Sequence, residues 1–146
     1  YLEHPVPEQW RATFTQIADA FAAGDFQLGQ CPIEGVQRVD QATAELIAEN
    51  VAAYGERLAP LDDATWQRSV YRWMDGYWQV LVDLSTHGEP VSDLTLHAKI
   101  FEGNDPRLEV YSALCPKSAS HPHCRPSRVV SERLKADCPI IEQARQ

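Results

Sequence analysis

Trp66–Trp73 (WQRSVYRW) and Tyr77–Ser85 (YWQVLVDLS) flank Asp75-Gly76, a pair that tolerates the positive φ angles of a tight hairpin turn. A two-residue loop pairs Met74 with Tyr77, Trp73 with Trp78 and Tyr71 with Val80. That register places Trp73, Trp78, Val80, Val82 and Leu84 on one side. The Thr86–Pro90 turn, centred on Gly88, then returns the chain into Val91–Glu102, with Leu94, Leu96, Ala98 and Ile100 on the same side. Gly103-Asn104-Asp105-Pro106 turns it once more, into Arg107–Leu114. The result is a four-stranded antiparallel meander with one apolar face in need of cover.

The cover lies upstream. In Glu8–Ala23, Trp10, Phe14, Ile17 and Phe21 recur at steps of four, three and four, one face of a helix that Gly24 can close. Asp40 is placed to cap a second helix along which Ile47, Val51, Tyr54 and Leu58 repeat the spacing, Gly55 weakening its last turn. Helices followed by consecutive strands give an α+β domain, two N-terminal helices packed on one face of the sheet. Residues 1–115 form this domain. From Pro116 to Gln146 the composition turns to Ser, His, Pro and Arg, an irregular extension with one short helix expected at Ser127–Ala136.

The opposite face of the meander carries Arg68, Arg72, Gln79, Asp83, Asp93, Thr95, His97 and Lys99. With the turn centred on Gly88, Arg68 stands across from Asp83, Asp83 across from Asp93, and Gln79 across from His97. Facing carboxylates raise the pKa of one of them, the arrangement acid–base chemistry exploits, which makes Asp83, Asp93 and His97 the candidate catalytic set. The same residues with Arg68 and Arg72 are the candidate binding set. The plainer reading is that Arg68 neutralises Asp83 on a solvated sheet face. Trp66, Tyr71, Trp73, Tyr77 and Trp78 stabilise the hairpin as cross-strand pairs, or serve as an anchor patch for a partner or planar ligand.

Thirteen Lys and Arg against 21 Asp and Glu leave a net charge of −8, which repels nucleic acid and anionic lipid. A cationic protein suits that field. No leader precedes the first helix and no apolar run approaches a membrane span, so the cytoplasm is the expected compartment. Cys115, His121, His123, Cys124 and Cys138 include potential zinc ligands, yet lack C-x-x-C or H-x-x-x-H spacing, so no metal and no cofactor are expected. A disulfide between two of Cys115, Cys124 and Cys138 is the expectation in an oxidising compartment. Nothing local activates Cys31 as a nucleophile. Phosphate-loop, dinucleotide, nucleophile-elbow and zincin signatures are absent from the sequence.

Trp78–Thr86 (WQVLVDLST) followed by Glu89–Leu96 (EPVSDLTL) resembles an uncharacterised bacterial domain family with a W-x-V-x-V-D-L-x-T and S-D-L-T-L hairpin, in which Ser92-Asp93-Leu94 is the most specific piece. In size and charge the chain is similar to the immunity proteins of bacterial toxin systems. Ala20–Phe26 (AFAAGDF) looks like the opening of cone-shaped folds of the nuclear-transport-factor-2 and cystatin-like type, which hold ligands between helices and a curved sheet. The third helix and fuller strand set of the former are not evident. These readings give a non-catalytic protein-binding module, an immunity or accessory factor with a cationic toxin as one candidate partner. The alternative is a small-molecule binder or hydrolase/isomerase-type enzyme using Asp83, Asp93 and His97.

Overall fold

The computed structural model describes residues 2–30 and 32–115. In chain order the elements are β1 (His4–Pro5), α1 (Glu8–Ala22), α2 (Gln41–Tyr54), β2 (Leu58–Ala59), a 3-10 turn (Asp63–Gln67), β3 (Val70–Trp73), β4 (Trp78–Asp83), β5 (Ser85–Thr86), β6 (Thr95–Phe101) and β7 (Arg107–Leu114). Five strands form one antiparallel sheet in the order β1-β3-β4-β6-β7, and β2 with β5 makes a separate two-stranded ribbon.

Both helices form where the apolar spacing places them. α1 buries Phe14, Ile17, Ala18 and Phe21, and Gly24 follows it at φ 91°. α2 is capped by the Asp40 carboxylate, which accepts the Thr43 N–H at 3.0 Å, and it ends at Gly55 in the left-handed conformation at φ 90°. Its Ile47 and Tyr54 meet α1 and the inward residues Val80, Val82, Leu94, Leu96, Ala98 and Ile100 in one core. Each large side chain removed from water there contributes about 1.5–3 kcal/mol. Leu58, expected to extend the apolar stripe of α2, lies instead in β2, because Gly55 has already ended the helix.

The first hairpin has the expected register, with Trp73 opposite Trp78 and Tyr71 opposite Val80. Three expectations need correction. The four-stranded sheet has a fifth strand, β1, whose Pro5 is tolerated at an edge where one face of the strand makes no ladder bond. The strand expected over Trp66–Trp73 is extended only from Val70; Asp62 caps a 3-10 turn before it by accepting the Ala64 N–H at 2.9 Å. Trp73 lies on the apolar side but beyond the reach of the helices, with 45% of its surface exposed.

The second hairpin differs by two residues. Asp83 stands opposite Thr95, not Asp93, and Gln79 opposite Lys99, not His97, whose partner is Leu81. The tip is a two-residue loop in which Thr86 faces Glu89, one residue tighter than a turn centred on Gly88. Extra residues then accumulate between Pro90 and Asp93. Leu84 donates its N–H to the Leu94 carbonyl at 2.8 Å and accepts from Ser92 N at 2.9 Å. The Ser92 hydroxyl, 1% exposed at the residue level, donates to the Leu84 carbonyl at 2.6 Å and accepts the Leu94 N–H at 3.1 Å. A shift of two preserves which face each side chain takes. The short helix expected at 127–136 and the rest of the C-terminal extension lie outside the described residues.

Ser92→Ala removes the acceptor of the Leu94 N–H and one of the two donors to the Leu84 carbonyl, which keeps Ser92 N–H, so it should cost about 1–3 kcal/mol of stability. Urea denaturation of the two proteins measures this; an unchanged midpoint would remove Ser92 as the determinant of register.

Candidate functional site

β6 shows the division of the sheet most plainly: Leu96, Ala98 and Ile100 are buried, whereas Thr95, His97, Lys99 and Phe101 are half-buried on the side away from the helices. That outer face is occupied by its own side chains. Arg72 donates through Nε to Gln79 Oε1 at 2.7 Å and through Nη1 to Glu3 Oε2 at 3.2 Å. Gln79 passes the chain on, donating through Nε2 to the Tyr111 hydroxyl at 2.6 Å. Lys99 lies between two rings, its Nζ 4.9 Å from the Tyr77 centroid and 5.1 Å from that of Tyr111. Arg107 covers Phe101 at 4.1 Å and binds Glu109 through Nε at 2.7 Å. Long side chains laid on rings contribute to the half-burial of a face on which neither α1 nor α2 packs.

Asp83 and Arg68 meet at one end of this face, Nε to Oδ2 at 3.2 Å, as the first hairpin requires. The Asp83 side chain is 11% exposed and that of Arg68 61%. The Thr95 hydroxyl donates to Asp83 Oδ1 at 3.3 Å. The Asp83 backbone is fixed as well, its N–H donating to Ser69 Oγ at 3.2 Å and its carbonyl accepting from the Thr65 hydroxyl. Burial pushes the Asp83 carboxyl above its ordinary value of 3.8, outweighing Arg68 and Thr95, which lower it; Asp93 adds a smaller upward push.

His97 sits farther along, edge-on to Tyr111 with ring centroids 5.9 Å apart. Burial lowers its pKa from 6.5, and the charge of Arg72 lowers it further. Asp93 belongs to a different setting beyond the end of β6. Its N–H donates to the Tyr54 hydroxyl at 3.0 Å, and that hydroxyl donates to Glu89 Oε1 at 2.8 Å. Desolvation pushes the Tyr54 phenol up to about 12. Arg68, Arg72, Asp83 and His97 thus share the outer face, while Asp93 is held at its margin and acts on Asp83 as a neighbouring charge.

Tyr111 is the central residue that sequence reasoning passed over. A register irregularity at His97/Ala98 places both Tyr111 and Ser112 beside His97, and no pattern in the sequence announces it. The alternation Arg107, Glu109, Tyr111 was the available signal. Tyr54 and Glu89 were missed because helix spacing assigns Tyr54 to the core, where its ring indeed lies, and says nothing of its hydroxyl.

A cleft of about 330 Å³ lies elsewhere, between the end of α1 and the start of α2, lined by Asp25, Gln27, Gln30, Gln41 and Glu45. Among the described residues no group of three or more His, Cys, Asp or Glu is placed to hold a metal ion. Of the C-terminal residues weighed as metal or disulfide partners, His121, His123, Cys124 and Cys138 fall outside the described residues; Cys115 is disulfide-bonded. No helix among the described residues is long and apolar enough to cross a membrane.

A family model described as a domain of unknown function (DUF7668) matches residues 18–115. No curated protein and no solved structure matches the chain. The matched segment runs from the second half of α1 through β7 and so contains the whole second hairpin.

The two shifted groups give opposite pH signatures. His97, neutral in the fold, contributes stability above 6.5 that is lost as pH falls through its lowered folded value. Asp83, whose charge the fold disfavours, does the reverse: its contribution is largest below 3.8 and lost as pH rises through its raised folded value. His97→Gln should therefore flatten the loss of stability between about pH 7 and 5, and Asp83→Asn should gain on the parent protein as pH rises from about 4 to 7. Urea midpoints across that range decide both; parallel curves for variant and parent would contradict the assignment.

Proposed function

The chain belongs to the DUF7668 family, and from that premise we propose that it is a non-catalytic protein-binding module, an accessory or immunity factor that engages another protein through the outer face of its sheet. The observation that carries this reading is the network Glu3–Arg72–Gln79–Tyr111 with Lys99 held between Tyr77 and Tyr111. Tyr and Arg dominate binding energy at protein interfaces, and side chains already fixed in the free protein lose little rotamer entropy on docking. An enzyme needs the reverse, a concave site that excludes water from the reacting groups.

Charge supports a basic partner. Through residue 115 there are seven Lys and Arg against 18 Asp and Glu, a field that speeds encounter with a cationic protein and repels nucleic acid. A cationic toxin has this chemistry. The resemblance of the Trp78–Leu96 hairpin to an uncharacterised bacterial domain supports a bacterial setting, and the disulfide at Cys115 favours an oxidising compartment over the cytoplasm. The enzyme reading rests on one specific observation, the raised pKa of Asp83, with Asp93 as a second charge and His97 two positions along the next strand.

Tagged full-length protein, isolated with its partner from its native cells, tests the proposal. Tyr111→Ala and Arg72→Ala, each half-exposed and outside the core, should keep the parent circular dichroism and weaken the complex by roughly 2 kcal/mol, about thirtyfold in Kd by calorimetry. If both variants hold the partner as tightly as the parent, the outer face is not the interface. Turnover of a small substrate that Asp83→Asn abolishes would instead establish the enzyme reading.

A further inference from the structure

The cations of this chain are distributed unevenly over its aromatic rings. Lys99 lies on Tyr77 and Tyr111, Arg107 on Phe101, and Arg11 on Trp66 at 5.4 Å. Arg68 and Arg72 are paired with Asp83 and Glu3, and Arg38 lies against Gly29. Among these contacts none falls on Trp73, the most exposed of the Phe, Tyr and Trp rings of the described residues.

Trp73 stands at the end of a row of rings on the helix side of the sheet. It meets Trp78 at 5.0 Å with an interplanar angle of 62°, Trp78 meets Tyr71 at 5.0 Å, and Tyr71 meets Trp10 at 5.0 Å and His4 at 5.4 Å. The row is rigid, because its inner members pack on the core and Trp78 Nε1–H is tied to Glu102 Oε1 at 3.1 Å. Extending the β1–β3 register by two residues brings Leu2, 74% exposed, opposite Trp73. Leu2 and Trp73 thus present apolar surface at this corner. Arg72, beside it in the chain, is held on the outer face by Glu3 and Gln79, whereas two carboxylates belong to this end of the hairpins: Asp75 follows in the turn, and Glu102 accepts from the neighbouring indole. Neither carboxylate forms an ion pair with a cation among the described residues.

A flat electron-rich ring with carboxylates at its margin complements a guanidinium, which stacks on the ring through its weakly hydrated plane and donates N–H groups sideways to the carboxylates. We propose that Trp73, with Asp75 and Glu102, is a receptor for an arginine side chain presented by a basic segment of the partner protein. The proposal rests on the protein-binding reading and adds the chemistry of what is bound, at a corner of the sheet separate from Tyr111 and Arg72. A second copy of this chain is the competing occupant, through Leu2 and Trp73 packing on their equivalents.

The probe is a capped peptide alternating Arg and Gly, compared with its Lys counterpart, titrated into the full chain while the indole N–H signals are followed by NMR. The expected result is that the Trp73 and Trp78 signals shift, that the Arg peptide binds more tightly than the Lys peptide, and that Trp73→Ala weakens the Arg peptide about fivefold or more. Glu102→Gln should weaken it less, with the fold unchanged by circular dichroism. Equal affinity for the two peptides, or for parent and Trp73→Ala, overturns the proposal, because general acidity then accounts for binding. So does self-association in sedimentation equilibrium that Trp73→Ala abolishes. Loss of the native partner in Tyr111→Ala, together with unchanged Arg-peptide binding in Trp73→Ala, would leave the protein-binding reading intact and reject this one alone.

Discussion

Two hydrogen bonds of one buried hydroxyl, Ser92 Oγ to the Leu84 carbonyl and Leu94 N–H to Ser92 Oγ, hold the sheet in the only parity its core allows. The tip pairing of Thr86 with Glu89, continued without interruption, would set Val82 opposite Asp93 and Val80 opposite Thr95. The faces of β6 would then be reversed, with Thr95, His97 and Lys99 directed at the helices and Leu96, Ala98 and Ile100 at solvent. Three additional residues between the tip and Thr95 restore the parity, since Asp83 pairs with Thr95 in the sheet. Pro90 supplies no N–H to the ladder, and Ser92 replaces ladder bonds with its side chain. The burial of Leu94 at 0% and Leu96 at 1%, and the placing of Thr95, His97 and Lys99 on the outer face, both follow from this junction.

This is also why the faces were legible from the sequence while the pairing across them was not. The period of two in Trp78–Leu84 and Thr95–Phe101 is a property of the chain alone, and it correctly sorts Val80, Val82, Leu96, Ala98 and Ile100 from Gln79, Asp83, His97 and Lys99. Arg68 with Asp83 was legible because Asp75-Gly76 fixes its hairpin by local turn chemistry. Asp83 with Asp93 was not, because it depends on how many residues Ser92 and Pro90 accommodate outside the ladder, a tertiary outcome. β1 was invisible for a different reason: two residues carry no periodicity, and His4–Pro5 acquires strand geometry only from the free edge of β3.

The net charge of −8 conceals a second asymmetry. On the outer face acids and bases neutralise one another in short contacts, Arg68 with Asp83, Arg72 with Glu3, and Arg107 with Asp105 and Glu109. Such half-exposed pairs add little stability, typically about 0–1 kcal/mol each, so their chief effect is to fix orientation. The surplus of acid therefore resides away from that face, on α2 and in the turns. The net negative field and the internally neutralised outer face are therefore separated on this molecule.

That separation bears on the choice between binding and catalysis. A raised carboxyl is useful to an enzyme when it faces a substrate, yet the buried oxygens of Asp83 are engaged by Arg68 and Thr95 and its backbone by Ser69 and Thr65. These contacts tie the 3-10 turn to β4 and β6, which is a fastening role. His97 meets the Tyr111 ring edge-on, and burial with the charge of Arg72 lowers its pKa. General acid–base chemistry requires each group to lie within hydrogen-bond reach of the proton it moves on a bound substrate. Here the groups that share partners are Arg72, Gln79, Tyr111 and Lys99: donors, ring faces and one centrally placed hydroxyl, held in a single arrangement. Side chains so fixed lose little rotamer entropy on docking, which is what the binding proposal draws on.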